Sequence, residues 1–318
     1  MDSSKLHSGK SVDFDVIVLG GGPAGLTAGI YMARSKASVL IIDSGIPGGQ
    51  TILTHEIANY PGIESTSGYM LAATMKKQAE TFGCNIKSNI QVKDIALSGK
   101  TKRLLLANGD SFSSKSIILA TGGRSKTIGA KGEENFKGRG ISYCATCDGD
   151  FFQDKEILVV GGGNSALEEA VSLTKYARKV TVVHMLDHWQ AFDYAVKEMQ
   201  RNEKIDFLLN SKIIEFKGTD NLNEVLIENL KDGSKKWRKI DGVFIFIGYE
   251  ANTDFLHDKG VKLNARNEIL VDEDMQTNLK GVFAAGDALQ KKYRQITTAV
   301  SDGTIAALSA LDYIHHKS

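Results

Sequence analysis

Cys144-Ala145-Thr146-Cys147, followed at once by Asp148, is the stretch of this sequence with the most chemistry in it. Two intervening residues let a ring close. One thiolate can then attack a partner disulfide while the other resolves the mixed disulfide. A carboxyl beside such a pair can move the proton that thiol–disulfide exchange requires. Cys-x-x-Cys can equally be half of a zinc site, but that site needs two more Cys or His in reach. The third cysteine, Cys84, lies far upstream in Phe82-Gly83-Cys84-Asn85 and reads as a small packing residue near a strand start. The pair is therefore read as redox-active, and no metal site is expected.

Two glycine-rich fingerprints flank the pair and imply the elements that position it. Val16-Ile17-Val18-Leu19 is short, apolar and β-branched, as a buried parallel strand is. Gly20-Gly21-Gly22-Pro23-Ala24-Gly25 follows with G-x-G-x-x-G spacing. Gly20 permits the tight turn, Gly22 lets the backbone approach a pyrophosphate, and Gly25 lets the next helix pack on the strand. That helix, from about Pro23 to Ser35, would present its amides and dipole to the pyrophosphate. A second strand, Ser38 to Ile42, ends at Asp43, where a carboxylate accepts from a ribose hydroxyl. A second copy begins at Ile157-Leu158-Val159-Val160 and continues as Gly161-Gly162-Gly163-Asn164-Ser165-Ala166, with a helix and then a strand from Lys179 to His184. Such an internal repeat marks two nucleotide folds in one chain.

Alternating runs from Asn89 to Leu106 and from Ser211 to Leu230, with turn signals Asn108-Gly109 and Asp232-Gly233, read as antiparallel meanders within each fold. Ser116 to Gly122, Val243 to Gly248 and Val282 to Asp287 read as strands ending in small-residue turns, and a periodic helix follows from about Thr297 to Tyr313. The fold class expected is α/β, with two Rossmann-like three-layer domains, the second inserted into the first. The insertion spans 127–253, and 1–126 with 254–318 form the host. Two short crossovers would then act as a hinge across which the inserted domain swings.

The 318 residues carry a net charge of +1, which gives no reason to expect nucleic acid or an anionic membrane as partner. Three cysteines make no disulfide framework and fit a reducing, cytoplasmic compartment. Met1 to Ser11 is polar and lacks the apolar core of a signal peptide, and no apolar run approaches a membrane span.

From about Asp13 to Tyr313 the chain resembles the low-molecular-weight flavin thioredoxin reductases. The resemblance rests on Gly20 to Gly25, Gly48-Gly49-Gln50, Asn59-Tyr60-Pro61-Gly62, Ala120-Thr121-Gly122 and Cys144 to Gly149. Further on it rests on Gly161 to Ala166 with Glu168-Glu169-Ala170, Gly248 with Asn252-Thr253, Gly286-Asp287 and Tyr293-Arg294-Gln295. It implies a homodimer with FAD in the discontinuous domain. Gly20, Gly22, Pro23, Ala24, Gly25, Asp43, Gly49, Gln50, Asn59, Thr121 and Gly122 would bind the cofactor. Gly286-Asp287 would lie on its pyrophosphate and ribityl side, and Arg294-Gln295-Ile296 along the isoalloxazine. It further implies that Cys147 faces the flavin, that Cys144 exchanges with the disulfide of thioredoxin, and that Asp148 protonates the departing thiolate.

The sequence departs from that family at one place. NADPH-dependent members carry His-Arg-Arg-x-x-x-Arg after the second strand of the inserted domain, and those arginines hold the 2′-phosphate. Here the run is His184-Met185-Leu186-Asp187-His188-Trp189-Gln190, with Met185, Leu186 and Gln190 at the arginine positions. Each charge-assisted bond to phosphate is worth ~1.5–3 kcal/mol, so losing two weakens NADPH by roughly 10²- to 10⁴-fold. NADH is one substitute, because G-x-G-x-x-A survives. An NAD site usually has an acid at the end of this strand, however, and His184 or Met185 stands there. Reduced ferredoxin is the other, since the missing arginines resemble those of ferredoxin-dependent flavin thioredoxin reductases. A ferredoxin at about −400 mV driving thioredoxin at about −270 mV releases roughly 6 kcal/mol for two electrons. Weak use of NADPH, a dithiol oxidase that reoxidises its flavin with oxygen, and a flavoprotein redox sensor are the remaining alternatives. Ferredoxin is the donor expected first.

Overall fold

The computed structural model describes residues 12–54 and 56–316. In chain order the strands and helices begin β1 (Phe14–Leu19), α1 (Pro23–Arg34), β2 (Val39–Ile42), α2 (Gly68–Thr81), β3 (Asn85–Lys87), β4 (Val92–Ala96), β5 (Lys102–Leu106), β6 (Ser111–Leu119) and β7 (Gly123–Ser125). Then come β8 (Ile141–Ser142), α3 (Ala145–Asp148), β9 (Glu156–Val160), α4 (Asn164–Leu173), β10 (Lys179–Val183), α5 (Asp193–Arg201) and β11 (Ile205–Leu208). After them lie β12 (Ser211–Gly218), β13 (Leu222–Asn229), β14 (Lys235–Lys239), β15 (Gly242–Ile245), β16 (Tyr249–Ala251), β17 (Val282–Ala284) and α6 (Ile296–His316). The chain divides into two compact units, residues 1–124 with 251–318, and residues 125–250.

The first unit is built on one seven-stranded sheet, ordered β3-β2-β1-β6-β5-β4, with β17 also on β6. β1, β2, β3, β6 and β17 run parallel. β4 and β5 join antiparallel as the expected meander. β6 serves both patterns. Ser113 and Ser114 pair with Arg103 and Lys102, whereas Ile117 to Leu119 pair with Val282 to Ala284. Side chains alternate along β1, as the two-residue repeat of a strand requires. Val16 and Val18 face a cluster with Leu26, Met32, Leu71 and Ala306, while Ile17 and Leu19 face one with Leu104, Leu256 and Ile269. Burying each such branched side chain contributes about 1.5–3 kcal/mol, which fixes the strand register. Lys102 is 1% exposed, and its Nζ donates to Gly99 O at 2.8 Å and Lys280 O at 2.6 Å. Burial lowers its pKa.

The second unit has a parallel sheet, β11-β10-β9-β15-β8, and an antiparallel sheet, β12-β13-β14. One face of the parallel sheet packs Ile157 and Val159 with Ala166, Leu167 and Ala170 of α4 and Met199 of α5. The other packs Leu158, Val160 and Val243 against Ile213, Phe216 and Val225 of the antiparallel sheet. Both units are thus layered α/β structures of the expected class.

In the first unit α6 crosses α1 through small residues. A β-carbon on Gly303 would fall 2.2 Å from Ala24 O, a backbone atom that cannot rotate away. Gly303→Ala should therefore force the helices apart and destabilise the protein by about 1–3 kcal/mol or more, read as a lower denaturation midpoint. Ser301→Ala, at an exposed position of the same helix, should shift it by no more than about 0.5 kcal/mol.

Candidate redox and cofactor sites

In the second unit, β8 ends at Ser142 and the chain turns through Tyr143 into the short helix α3. Cys144 caps that helix, its Sγ accepting from Cys147 N at 3.2 Å, and the two cysteines form a disulfide with Cα atoms 5.3 Å apart. Both are only partly buried. Ser142 Oγ donates to Asp148 Oδ2 at 2.5 Å and accepts from Cys144 N at 3.1 Å, and Asp148 N donates to Cys144 O at 3.2 Å. Burial pushes the Asp148 carboxyl above the usual carboxylate range, and the Ser142 bond pulls it part of the way back. A carboxyl raised in this way keeps its proton to higher pH, as a general acid must. Tyr143 is anchored on the other side by Glu133, whose carboxylate accepts from Tyr143 Oη at 2.8 Å and from the amides of Ile128 and Gly129 at 3.2 and 2.8 Å.

In the first unit, the parallel strands end together, and their exits form one cluster, as ligand crevices of parallel sheets do. Gly20 has φ +105°, and a β-carbon there would meet Ala120 O at 2.1 Å. Asp43, directly after β2, accepts from Gly21 N at 2.6 Å and Gly45 N at 2.7 Å. Gly48 N donates to Gly21 O at 2.7 Å, which brings the turn holding Gly49 and Gln50 to the fingerprint. Gly22 is the N-cap of α1, which has no side-chain cap, so Pro23, Ala24 and Gly25 begin a helix whose end is open to an anion. At the end of β6, Thr121 O and Gly122 O accept from Asn252 at 3.0 and 2.9 Å, and Thr121 Oγ1 is buried with no hydrogen-bond partner among the described residues. Gly286 reaches α1, where a β-carbon on it would lie 2.9 Å from Ala24 Cβ. Its amide donates to Asp302 Oδ2 at 3.1 Å, and Lys291 Nζ donates to the same oxygen at 2.5 Å. Burial raises the pKa of Asp287, against the pull of Lys291 and Arg294. Arg294 pairs with the buried Glu268, and Gln295 N donates to Thr298 Oγ1 at 3.1 Å just before Ile296 opens α6. Asn59 is exposed on the loop before α2, apart from these contacts. An uncapped helix end, close glycine backbones and an orphaned buried hydroxyl fit the phosphates and hydroxyls of a dinucleotide.

The second fingerprint is filled differently. His184 directly follows β10, as Asp43 directly follows β2, so it is the residue in the acid's place. Its ring lies against Gly162, where a β-carbon would meet Cε1 at 2.3 Å, and stacks on Trp189 at 5.6 Å. Burial holds its pKa below the ordinary value, and Nε2 has no hydrogen-bond partner among the described residues. Gln190 N donates to Gly162 O at 2.8 Å, and Phe192 N to Asn164 Oδ1 at 2.7 Å. Met185 and Gln190 are exposed and Leu186 is half-buried.

His184 and His188 stand at His-x-x-x-His spacing, yet His188 is exposed and paired with Asp187 at 2.7 Å. Among the described residues no group of three or more His, Cys, Asp or Glu could hold a metal, and no helix is long and apolar enough to cross a membrane. Cys84 is buried with its thiol pushed up to about 11, the packing role expected of it. Sequence reasoning missed Ser142 and Glu133, whose partners are near in sequence but lie in turns that no spacing rule marks, and Asp302, whose partner Gly286 is brought to it by the fold.

Residues 14–303 match the family model of pyridine nucleotide-disulphide oxidoreductases. A protein of Clostridium pasteurianum described as "34.2 kDa protein in rubredoxin operon" is 42% identical over 303 residues, covering 95% of this chain and 98% of that one. The thioredoxin reductase of Peptoclostridium acidaminophilum is 41% identical over 308 residues, covering 95% and 97%. The crystal structure of thioredoxin reductase from Streptococcus pyogenes matches with a TM-score of 0.92 at 42% identity, covering 95% and 98%. A redox-type cysteine pair on one nucleotide fold, an open dinucleotide cradle on the other and these likenesses agree. The chain belongs to the pyridine nucleotide-disulphide oxidoreductase family, among the FAD-binding enzymes of the thioredoxin reductase type.

Proposed function

We propose that this enzyme reduces the disulfide of thioredoxin or a thioredoxin-like protein and takes its electrons from reduced ferredoxin rather than from NADPH. The observation that carries the donor assignment is His184 packed on Gly162 in the acid's position, with Met185, Leu186 and Gln190 where phosphate-binding arginines would stand. A relative described by its place in a rubredoxin operon supports the same direction. The retained fingerprint Gly161 to Ala166 and the uncapped N-terminus of α4 favour NADH instead. The enzyme acts as a cytoplasmic homodimer.

FAD supplies a centre that takes electrons singly and delivers two to a disulfide. The residues that would hold it are Gly20, Gly22 and Pro23 to Gly25 at the pyrophosphate, and Asp43 at the ribose. Asp43 already accepts two amides, and a carboxylate has lone pairs left for ribose hydroxyls. Gly49, Gln50, Thr121 and Gly122 would line the remainder with Gly286 and Asp287, and Arg294, Gln295 and Ile296 would lie along the ring system; Asn59 would reach the cofactor only from its exposed loop. Cys147 receives the electron pair and one proton, which opens the disulfide and leaves Cys144 as the thiolate, while Asp148 takes a second proton from solvent. Cys144 thiolate then attacks a partner sulfur, and the departing partner thiolate takes the Asp148 proton. Cys147 gives its proton to Asp148 and attacks Cys144 Sγ. The second partner thiolate leaves with that proton, so the partner gains two electrons and two protons while the enzyme disulfide reforms.

Anaerobic mixing should bleach the flavin rapidly with reduced ferredoxin and leave it oxidised with micromolar NADPH; rapid bleaching by NADPH would overturn the donor assignment. Replacing Met185, Leu186 and Gln190 together by Arg should improve NADPH use roughly 10²-fold or more, measured as kcat/KM. Cys144→Ser and Cys147→Ser should each lower thioredoxin reduction at least about 10³-fold while the flavin still bleaches.

A further inference from the structure

We propose that Ser142 is a positioning residue that holds the Asp148 carboxyl in both of its protonation states while the cysteine pair exchanges its disulfide. This rests on the reading of Asp148 as the proton donor. Ser142 is 5% exposed at the end of β8, so no solvent competes for its hydroxyl. That hydroxyl has one proton and two lone pairs, and the structure surrounds it with three partners. Asp148 Oδ2 lies at 2.5 Å, Cys144 N at 3.1 Å and Cys144 O at 3.3 Å.

With Asp148 ionised, Ser142 donates to the carboxylate and accepts from Cys144 N. With Asp148 protonated, the carboxyl donates to Ser142 Oγ, and the serine proton turns to Cys144 O. The Cys144 amide keeps its acceptor throughout. Ser142 Oγ, Asp148 Oδ2 and the Cys144 amide and carbonyl all stay bonded through the proton transfer, and the carboxyl stays tied to the peptide of the exchanging cysteine. On the elements packed around Asp148 the other titratable groups are Glu168 and Glu169 of α4, Tyr176 against Gly149, Asp150 of the following turn, Tyr143 and Glu133. None of them contributes to its shift, which comes from burial and from Ser142. Asp150 is occupied by Gln153 and Glu133 by Tyr143.

The test uses FAD-loaded, pre-reduced enzyme mixed anaerobically with oxidised thioredoxin, with a dialkyl disulfide, or with an aromatic disulfide whose thiolate leaves without a proton. The Ser142 bond favours the carboxylate, so removing it raises the Asp148 pKa. In Ser142→Ala the falling limb of the pH–rate profile should move up by about one pH unit, and the plateau should fall about tenfold for the first two substrates. Release of the first aromatic thiolate, which needs no proton, should stay within about twofold of wild type. Ser142→Thr, which keeps the hydroxyl, should restore the wild-type limb, and in the Asp148→Asn background Ser142→Ala should change nothing further. If S142A fails to load flavin, S142C, with a weak donor, takes its place under the same expectations. An unmoved limb, equal slowing of the aromatic disulfide, or an S142T profile like that of S142A would overturn the assignment. If wild type reduces no thioredoxin or dialkyl disulfide, the proposed function falls instead.

Discussion

At the end of β1 in the first unit and of β9 in the second, the backbone passes so close to its neighbour that no side chain fits between them. A β-carbon on Gly20 would meet Ala120 O at 2.1 Å, and one on Gly161 would meet Phe246 O at 2.5 Å. Both glycines take positive φ, +105° and +142°, a region that L side chains avoid. This close approach lets a parallel strand turn directly into a helix, leaving the first turn of α1 and of α4 without a side-chain cap. The cradle at the strand exits, and with it the place for an anion, follows from that one steric constraint.

The two units then part company at a single equivalent residue. After β2 stands a carboxylate that binds two loop amides, and after β10 stands an imidazole pressed on a glycine and covered by an indole. The same backbone therefore offers a charged acceptor in one unit and a neutral aromatic surface in the other. Leaving the His184 Nε2 unsatisfied costs about 1–3 kcal/mol. The stacked contacts with Trp189 and the Gln190 and Phe192 backbone bonds hold the segment in place against that cost.

Much of this was legible in the sequence because it is local. The glycine spacing, the apolar β-strands with a terminal acid and the alternating meanders all declare themselves within short windows. The cysteine pair was legible for the same reason. Less legible were Asp302 reaching the Gly286 amide and buried Lys102 bonded to Lys280 O, both set by the fold, and Glu133 gathering Tyr143 and two amides in a loop that no spacing rule marks. Ser142 was close in sequence to Asp148, but a serine two residues before a cysteine carries no spacing rule that would mark it. Whether His184 or Met185 held the acid's position also needed the end of β10 to be seen, since a one-residue slip reverses which side chain faces the glycine.

β6 and β17 come from opposite sides of the inserted segment, yet they pair residue for residue, and Lys102 clasps the turn ahead of β17. The first unit thus closes its own core without help from the residues between 124 and 251. For that host the guest behaves as a very long loop, and lengthening a loop adds only slowly to the entropy of closing it. A guest tethered in this way is free to change its ligand over generations, even to abandon one electron source for another, while the flavin-type cradle of its host stays as it was.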